Sequence, residues 1–243
     1  LTGVRPLEKR SKPNFLQGVF FILLVCLTVY VLLQSPIFNI RKIEIVGRNQ
    51  ISREKLVKLS GVVLGSNIFK VDLHSGEEKI SLLPAVKEVK IKRRFPSTVV
   101  ISITEREPMA LLAAPGGFIE LDKEGIYLRQ GEFNKLFLPV ITGCRVKEIE
   151  PGEKVTEKTV ITALEVIDKL PPELTNQLSE VHVDNNKVTI YTIDGVQGRL
   201  GLPENIYRKG DVFLQVLNQM HDGKKIEYID LTSFKSPVVK YAS

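Results

Sequence analysis

Apolar and polar positions divide this chain into one unbroken apolar run and a long remainder in which the two kinds alternate. Phe15 to Leu33 reads FLQGVFFILLVCLTVYVLL, with Gln17 and Thr28 as its clearly polar members. At roughly 1.5 Å per residue a helix over this stretch reaches about 28 Å, close to the roughly 30 Å hydrocarbon core of a bilayer. A buried core helix would need a core around it. A cleaved signal peptide would have a shorter apolar region and a small-x-small cleavage site, which Leu32-Leu33-Gln34-Ser35-Pro36 does not offer. The run therefore predicts a retained transmembrane helix.

Beyond the run the period changes. Ile43-x-Ile45 alternates and ends at Gly47, a strand followed by a turn. Ser52 is placed to cap a helix, with Ile51 and Leu56 spaced as a hydrophobic staple, Leu56 and Leu59 on the buried face, and Gly61 as the stop. Ser66 to Leu73 reads as a short bridge, and Glu77–Leu83 as a second helix closed by Pro84. Two strands follow, one with Val89 and Ile91 alternating with lysines, the other with Val99, Ile101 and Ile103 on one face. Arg93-Arg94-Phe95-Pro96 joins them, the proline biasing Phe95 toward an extended backbone. Strand, helix, helix, strand, strand within 38–107 predicts a compact unit with both helices on one sheet face. Its expected core is Ile43, Ile45, Leu56, Leu59, Val89, Ile91, Ile101 and Ile103.

The rest of the chain reads as short strands broken by turn signals. Gly116-Gly117 precedes Phe118–Leu121, and Asp122-Lys123-Glu124-Gly125 turns into Ile126–Leu128. Thr156–Leu170 carries Val160, Leu164 and Ile167 at helical spacing, ended by Pro171-Pro172. A meander then runs through Val181–Val183, Val188–Ile193 and Val196–Leu200, with turns at Asp184-Asn185-Asn186 and Asp194-Gly195. Ile206, Phe213, Leu217 and Met220 mark one face of a further helix, which Gly210 should weaken. The last strands are Ile226–Leu231 and Pro237–Tyr241.

Charge adds an orientation. No charged residue stands between Pro13 and Ile40, and the net charge of +6 is shared evenly across the chain's two parts. Four bases against Glu8 give the first 34 residues +3, which leaves +3 for all that follows. So small an excess over about two hundred residues makes no stripe for nucleic acid, and none is expected as a partner. Four basic residues lie in the fourteen before the run and two in Gln34–Gly47, which favours a cytoplasmic N-terminus and the bulk of the chain outside.

Candidate chemistry is sparse. Cys26 and Cys144 make no disulfide framework or four-cysteine zinc site. His74, His182 and His221 form no His-x-x-x-His pair, though a strand would place His182 and Asp184 on one face. No Gly-x-Ser-x-Gly elbow occurs, and Gly61-x-x-x-Gly65-Ser66 lacks the lysine of a phosphate loop. No catalytic residue, metal site or cofactor is expected. Lys90, Lys92, Arg93 and Arg94 are either a solvated strand face and turn or an electrostatic contact for acidic surfaces.

Several of these segments carry a resemblance. IFNIRKIEIVGRNQIS, the Leu83-Pro84-x-Val86 helix exit, the Arg93-x-Phe95-Pro96-x-Thr98 turn and Glu105-Arg106-x-Pro108 resemble the POTRA domain of the bacterial cell-division family FtsQ/DivIB. Leu138–Gly143 and the alternation of strands with two helices are similar to that family's β domain. The resemblance implies an α+β chain: a cytoplasmic basic tail (1–14), a transmembrane helix (15–34), a POTRA domain (35–107, βααββ), a mixed β-rich domain with two helices (108–231), and a C-terminal edge strand and tail (232–243).

It further implies a non-catalytic membrane scaffold at the division septum that docks other divisome proteins and helps control septal peptidoglycan synthesis. The alternative is a membrane-anchored cell-wall-modifying enzyme. Implied partners are FtsB/DivIC-like and FtsL-like proteins, with FtsK-like or FtsW-like proteins near the span and the POTRA unit. The terminus IEYIDLTSFKSPVVKYAS is similar to the family segment that contacts FtsB, so partner-binding residues are expected at Tyr228, Asp230, Leu231, Phe234, Val238, Val239 and Tyr241. Thr232 stands where the family often has arginine.

Overall fold

A computed structural model describes residues 15–131, 138–144, 146, 148–219 and 225–242. The apolar run is a single helix, α1 (Phe15–Leu33), none of whose residues is buried by the rest of the protein. It is therefore no core helix, and it is long and apolar enough to cross a membrane. The Thr28 hydroxyl donates to the Leu24 carbonyl at 2.8 Å, which satisfies a polar group that hydrocarbon could not.

After a 3-10 turn at Pro36–Phe38 comes a small three-stranded unit. Its elements are β1 (Lys42–Val46), α2 (Arg53–Ser60), α3 (Leu73–Ser81), β2 (Val86–Arg94) and β3 (Thr98–Glu105). The strand order is β1-β3-β2, with β3 central, parallel to β1 and antiparallel to β2. Ser52 caps α2 as its spacing predicts, accepting from the Lys55 amide at 3.3 Å, and Gly61 ends it in the left-handed region. The second helix starts at Leu73, four residues before Glu77. Asp72 Oδ1 accepts from the His74 and Ser75 amides, so the free N–H groups of the first turn are met there.

Both helices cover the sheet. Leu56, Ile80, Val99 and Ile101 are fully enclosed, with Ile43, Ile91 and Ile103 beside them. Ile45, Leu59 and Val89 pack at the margin of that core, half-buried.

Residues 108–242 build a nine-stranded sheet. Its strands are β4 (Pro108–Ala114), β5 (Gly117–Asp122), β6 (Tyr127–Gly131), β7 (Val140–Thr142), β8 (Leu178–Asp184), β9 (Lys187–Thr192), β10 (Gln197–Gly201), β11 (Ile226–Asp230) and β12 (Val238–Tyr241). The helices are α4 (Lys158–Lys169), the single turn α5 (Pro172–Thr175) and α6 (Ile206–Gln219).

In space the strand order is β12-β11-β10-β9-β8-β7-β4-β5-β6. Local hairpins give the antiparallel pairs, as at Asn185-Asn186, where both residues take positive φ. Short β7 is inserted in parallel between β4 and β8, and α6 carries the chain from β10 to a parallel β11.

The core lies between this sheet and α4 and α6, around Leu112, Ile141, Val160, Ile167, Val181, Ile190 and Phe213. Gly210 does not weaken α6 but seats it. A Cβ there would stand 2.5 Å from Pro171 Cδ and 2.7 Å from Leu170 Cδ2, so only glycine lets α6 come this close to the end of α4. Met220 and His221 lie outside the described residues.

Candidate partner-docking edge

The terminal strand β12 pairs only with β11, so its outer side meets no further strand among the described residues. The register sets Ile226 opposite Tyr241, Tyr228 opposite Lys240, Ile229 opposite Val239 and Asp230 opposite Val238, with an irregularity between Ile226 and Tyr228. Alternation then sorts the side chains. Ile229 is buried and Val239 packs on the core, whereas Val238 is 57% exposed. Tyr241 retains 39% exposure at the strand's end.

On the opposite face, the Arg199 guanidinium lies 3.9 Å from the centre of the Tyr228 ring, and Lys240 Nζ stands 5.6 Å from it. Lys240 also pairs with Glu227 at 2.9 Å. The half-buried Tyr228 is thus engaged by cations of β10 and β12, which stiffens the last three strands.

The loop between β11 and β12 is shaped by its first residues. Asp230 Oδ1 accepts from the Thr232 amide at 2.9 Å, turning the chain away from the sheet. Phe234 is half-buried beside a cavity of about 290 Å³ that Leu202, Asn205, Lys209 and Thr232 also line. Lys209 is buried, with Nζ donating to the Leu200 and Leu202 carbonyls at 2.6 and 2.9 Å, and burial pushes its pKa down. It ties the start of α6 to the end of β10 directly behind that loop.

Of the expected contact residues, Tyr228, Asp230, Phe234, Val238, Val239 and Tyr241 are gathered on these two strands and their loop. Leu231 is the exception. Its side chain is wholly enclosed in the core and its amide donates to the Arg199 carbonyl at 2.8 Å, so it positions the edge and cannot itself meet a partner. Arg199, Lys209, Glu227 and Lys240 were not expected. Alternation marks Arg199 as an outward strand residue, but nothing local shows that its strand lies beside β11.

A second surface lies at the other end of the chain. Between the edge strand β1 and α2 runs a groove of about 990 Å³, with Ile45, Val46, Val57, Val63 and Leu64 among its apolar lining and Arg41, Lys42, Arg53 and Lys58 around it.

Polar contacts brace the two sheets together. The Glu105 carboxylate accepts from the Asn49, Gln50 and Ile51 amides at 2.7 to 3.1 Å. Burial alone would raise its pKa, but these three donors and Arg48 hold it below the ordinary range. The next residue, Arg106, pairs with Asp122 at 2.5 Å and Glu124 at 2.7 Å, and Lys87 reaches Glu124 at 2.7 Å. Arg129 adds a link from Glu120 to Gln50. Arg106, Lys87 and Arg129 therefore make the structural joint between the sheets, while Glu105 holds the loop after β1 against β3 within the first unit.

The hydrogen bond from Lys87, followed by that from Arg106, holds the Glu124 carboxyl at about 2, against an ordinary 4.5. A depressed acid lends stability above its ordinary pKa and withdraws it as pH falls through that interval. Glu124→Gln should therefore lower the thermal midpoint near neutrality, with the gap to the unaltered protein closing between about pH 4.5 and about pH 2. A gap constant across that range would show that Glu124 plays no part in the joint.

The isolated polar groups remain scattered. His182 Nδ1 lies 2.8 Å from Thr142 Oγ1, which in turn donates to Glu180, while Asp184 accepts from the Asn185 side-chain carboxamide. Arg93 bonds the Ile68 and Val71 carbonyls and Arg94 pairs with Glu44, whereas Lys90 and Lys92 are solvated. The basic run is thus half structural and half open. Cys26 and Cys144 are free thiols. Among the described residues no three His, Cys, Asp or Glu side chains are grouped to hold a metal ion.

Comparison with known proteins finds family matches to both parts of the chain beyond α1. The sequence pattern of the POTRA domain, FtsQ-type, matches residues 38–106, and that of the cell division protein FtsQ/DivIB C-terminal region matches 110–232. The cell division protein FtsQ of Geobacter sp. (strain M21) is 29% identical over 216 residues, covering 85% of this chain and 77% of that protein. FtsQ of Corynebacterium glutamicum is 28% identical over 203 residues (83% and 88%), and the cell division protein DivIB of Bacillus anthracis 27% over 234 residues (92% and 83%). The solved extracytoplasmic domain of the trans isomer of DivIB from Geobacillus stearothermophilus aligns with a TM-score of 0.34 at 15% identity, over 50% of this chain and 99% of that one.

Proposed function

Because the chain belongs to the FtsQ/DivIB family of bacterial cell division proteins, we propose that it is a membrane-anchored, non-catalytic docking protein of the division machinery. In this reading residues 1–14 lie in the cytoplasm, residues 15–34 cross the membrane, and the POTRA and β domains stand outside at the septum. The β12 edge receives an FtsB/DivIC-like segment as an added strand, bringing an FtsL-like partner with it. FtsK-like or FtsW-like proteins engage the span and the POTRA unit, and these contacts together help position septal peptidoglycan synthesis.

The observation that carries this reading is the outer side of β12, an edge bordered by Val238, Phe234 and Tyr241. A strand edge offers backbone hydrogen bonds to an incoming chain, and neighbouring apolar side chains select which chain adds.

Cysteine chemistry in intact cells tests orientation and docking together. In a background with Cys26→Ser and Cys144→Ser, Val238→Cys should react with a membrane-impermeant thiol reagent and cross-link to an FtsB/DivIC-like protein, whereas Arg5→Cys should do neither. Labelling at position 5 would reverse the topology. Labelling at 238 without any cross-link to that partner would remove the edge from the interface.

A further inference from the structure

Three phenylalanines from separate parts of the POTRA unit meet where it joins the membrane helix. Phe38 comes from the 3-10 turn, Phe69 from the loop before α3, and Phe95 from the turn between β2 and β3. The Phe38 and Phe69 rings meet edge to face at 5.1 Å, and the Phe69 and Phe95 rings stack at 5.3 Å. The cluster is only partly buried: Phe38 is half-buried against the core of the unit, but Phe69 is 39% and Phe95 57% exposed, and neighbouring Ile37 is 52% exposed.

One side chain ties these rings to the helix. The Asn67 carboxamide donates from Nδ2 to the carbonyl of Leu33, the last residue of α1, at 2.8 Å. Its Oδ1 accepts from the Phe69 amide at 2.9 Å. The middle ring of the cluster therefore hangs from the group that closes the end of α1. Arg93 holds the same loop from below, donating to the Ile68 and Val71 carbonyls at 2.8 and 2.7 Å. From Leu33 to Phe38 the chain has five residues, at most about 18 Å even if fully extended.

We infer that Phe38, Phe69 and Phe95, with Ile37, rest in the lipid headgroup layer that α1 leaves, so that the POTRA unit lies on the membrane surface and does not swing above it. This rests on the reading of α1 as a membrane span. A bilayer's polar layer is about 5–8 Å deep on each side of the hydrocarbon, a depth an aromatic cluster at a helix end enters readily. Three contiguous rings beside exposed Ile37 form the kind of apolar patch that marks an interaction surface. The charge nearby in sequence suits the assignment: Lys70 follows Phe69 directly and Arg41 stands three residues after Phe38, both are exposed, and such cations can meet anionic phosphates. The nearby Arg94 is already engaged by Glu44. Continuity with the span is what makes lipid the occupant: Phe38 stands five residues beyond the last residue of α1, and Asn67 ties the Phe69 loop to that residue's carbonyl, so the rings sit at the depth where headgroups surround the helix end.

The chain contains no tryptophan, so one introduced tryptophan reports its own surroundings without background. The full chain would be placed in vesicles of phosphatidylethanolamine and phosphatidylglycerol, with and without bromine on the acyl carbons nearest the headgroup. Phe95→Trp and, independently, Phe69→Trp should each lose about half of their emission in the brominated vesicles, as interfacial rings would. Tyr30→Trp in α1 should be quenched too, whereas Tyr207→Trp, at an exposed position of α6, should be unaffected.

If Tyr30→Trp is quenched but neither ring variant is, the lipid contact is wrong and the span stands. Quenching of the ring variants by aqueous iodide would then show an open patch, and shielding from both quenchers a protein cover; either overturns the inference. An unquenched Tyr30→Trp would remove the span and this inference together.

Discussion

Replacing Phe234 by serine together with Tyr241 by alanine should weaken binding of an FtsB/DivIC-like segment by about 100-fold or more, roughly 3 kcal/mol, the scale of two aromatic anchors in an interface. Both residues border the free side of β12, Tyr241 on the strand and Phe234 on the loop that leads into it. Neither belongs to the enclosed core of the β domain, so its unfolding midpoint should move little. Titration calorimetry with the partner segment, beside a urea unfolding curve of the same sample, checks both halves. Unchanged affinity would place the interface elsewhere, and loss of the fold would mean the aromatics serve packing. Leu231→Ala would be a poor substitute for this test, because emptying a fully enclosed position costs about 2–5 kcal/mol of stability whatever binds outside.

A second large effect is expected at Gly47, where β1 turns away from the sheet. Its φ is +83°, and a Cβ on it would stand 2.1 Å from the Ile103 carbonyl oxygen on the central strand β3. Valine would add a left-handed conformation foreign to a β-branched side chain, and a collision with backbone that cannot yield. Gly47→Val should therefore cost more than about 4 kcal/mol, enough to detach β1 from β3 and melt the POTRA unit. Hydrogen exchange should show the amides of Glu44 and Val46, which face β3, losing protection, and urea unfolding should show the early loss of one cooperative unit. A cost below about 1 kcal/mol would mean that the turn moves freely away from Ile103.

These two sites differ in how far the sequence announces them. Features written within a few residues are legible: the apolar run, the Ser52 cap with its Gly61 stop, and the Asn185-Asn186 turn each follow from local spacing or backbone preference. So do the buried alternations at Ile101 and Ile103.

What fails is whatever depends on residues brought together from afar. Asp72 starts α3 ahead of the apolar signal because its carboxylate, and no periodicity, meets the first amides. Gly210 reads as a flaw until Leu170 and Pro171 are seen against it. The terminal aromatics could be named from the final segment. Arg199 over the Tyr228 ring could not, because β10 and β11 are brought side by side only after the whole of α6. The burial of Leu231 was equally hidden, since its alternating neighbours say which residues share a face but not which face the core takes.

The order of the nine strands has a mechanical meaning. The joint to the POTRA unit is made at β5, β6 and the turn between them, whereas the proposed docking edge is β12 at the far side. Eight inter-strand steps of about 4.8 Å separate β6 from β12, roughly 38 Å, a spacing set by backbone ladders. In the proposed function, a pull between the membrane anchor and a partner bound at that edge would run across the strands, along the line of their hydrogen bonds, and so load the ladders in series. In such a chain the thinnest ladder carries the same tension as the thickest. Here it is the parallel seam of β7, where the partners in register are Leu111 with Val140 and Leu112 with Ile141 on one side, and Val140 to Thr142 with Glu180 to His182 on the other. Helix α4 touches both β4 and β8. It spans that seam like a splint, and shares between its side-chain contacts a load that two short ladders would otherwise bear alone.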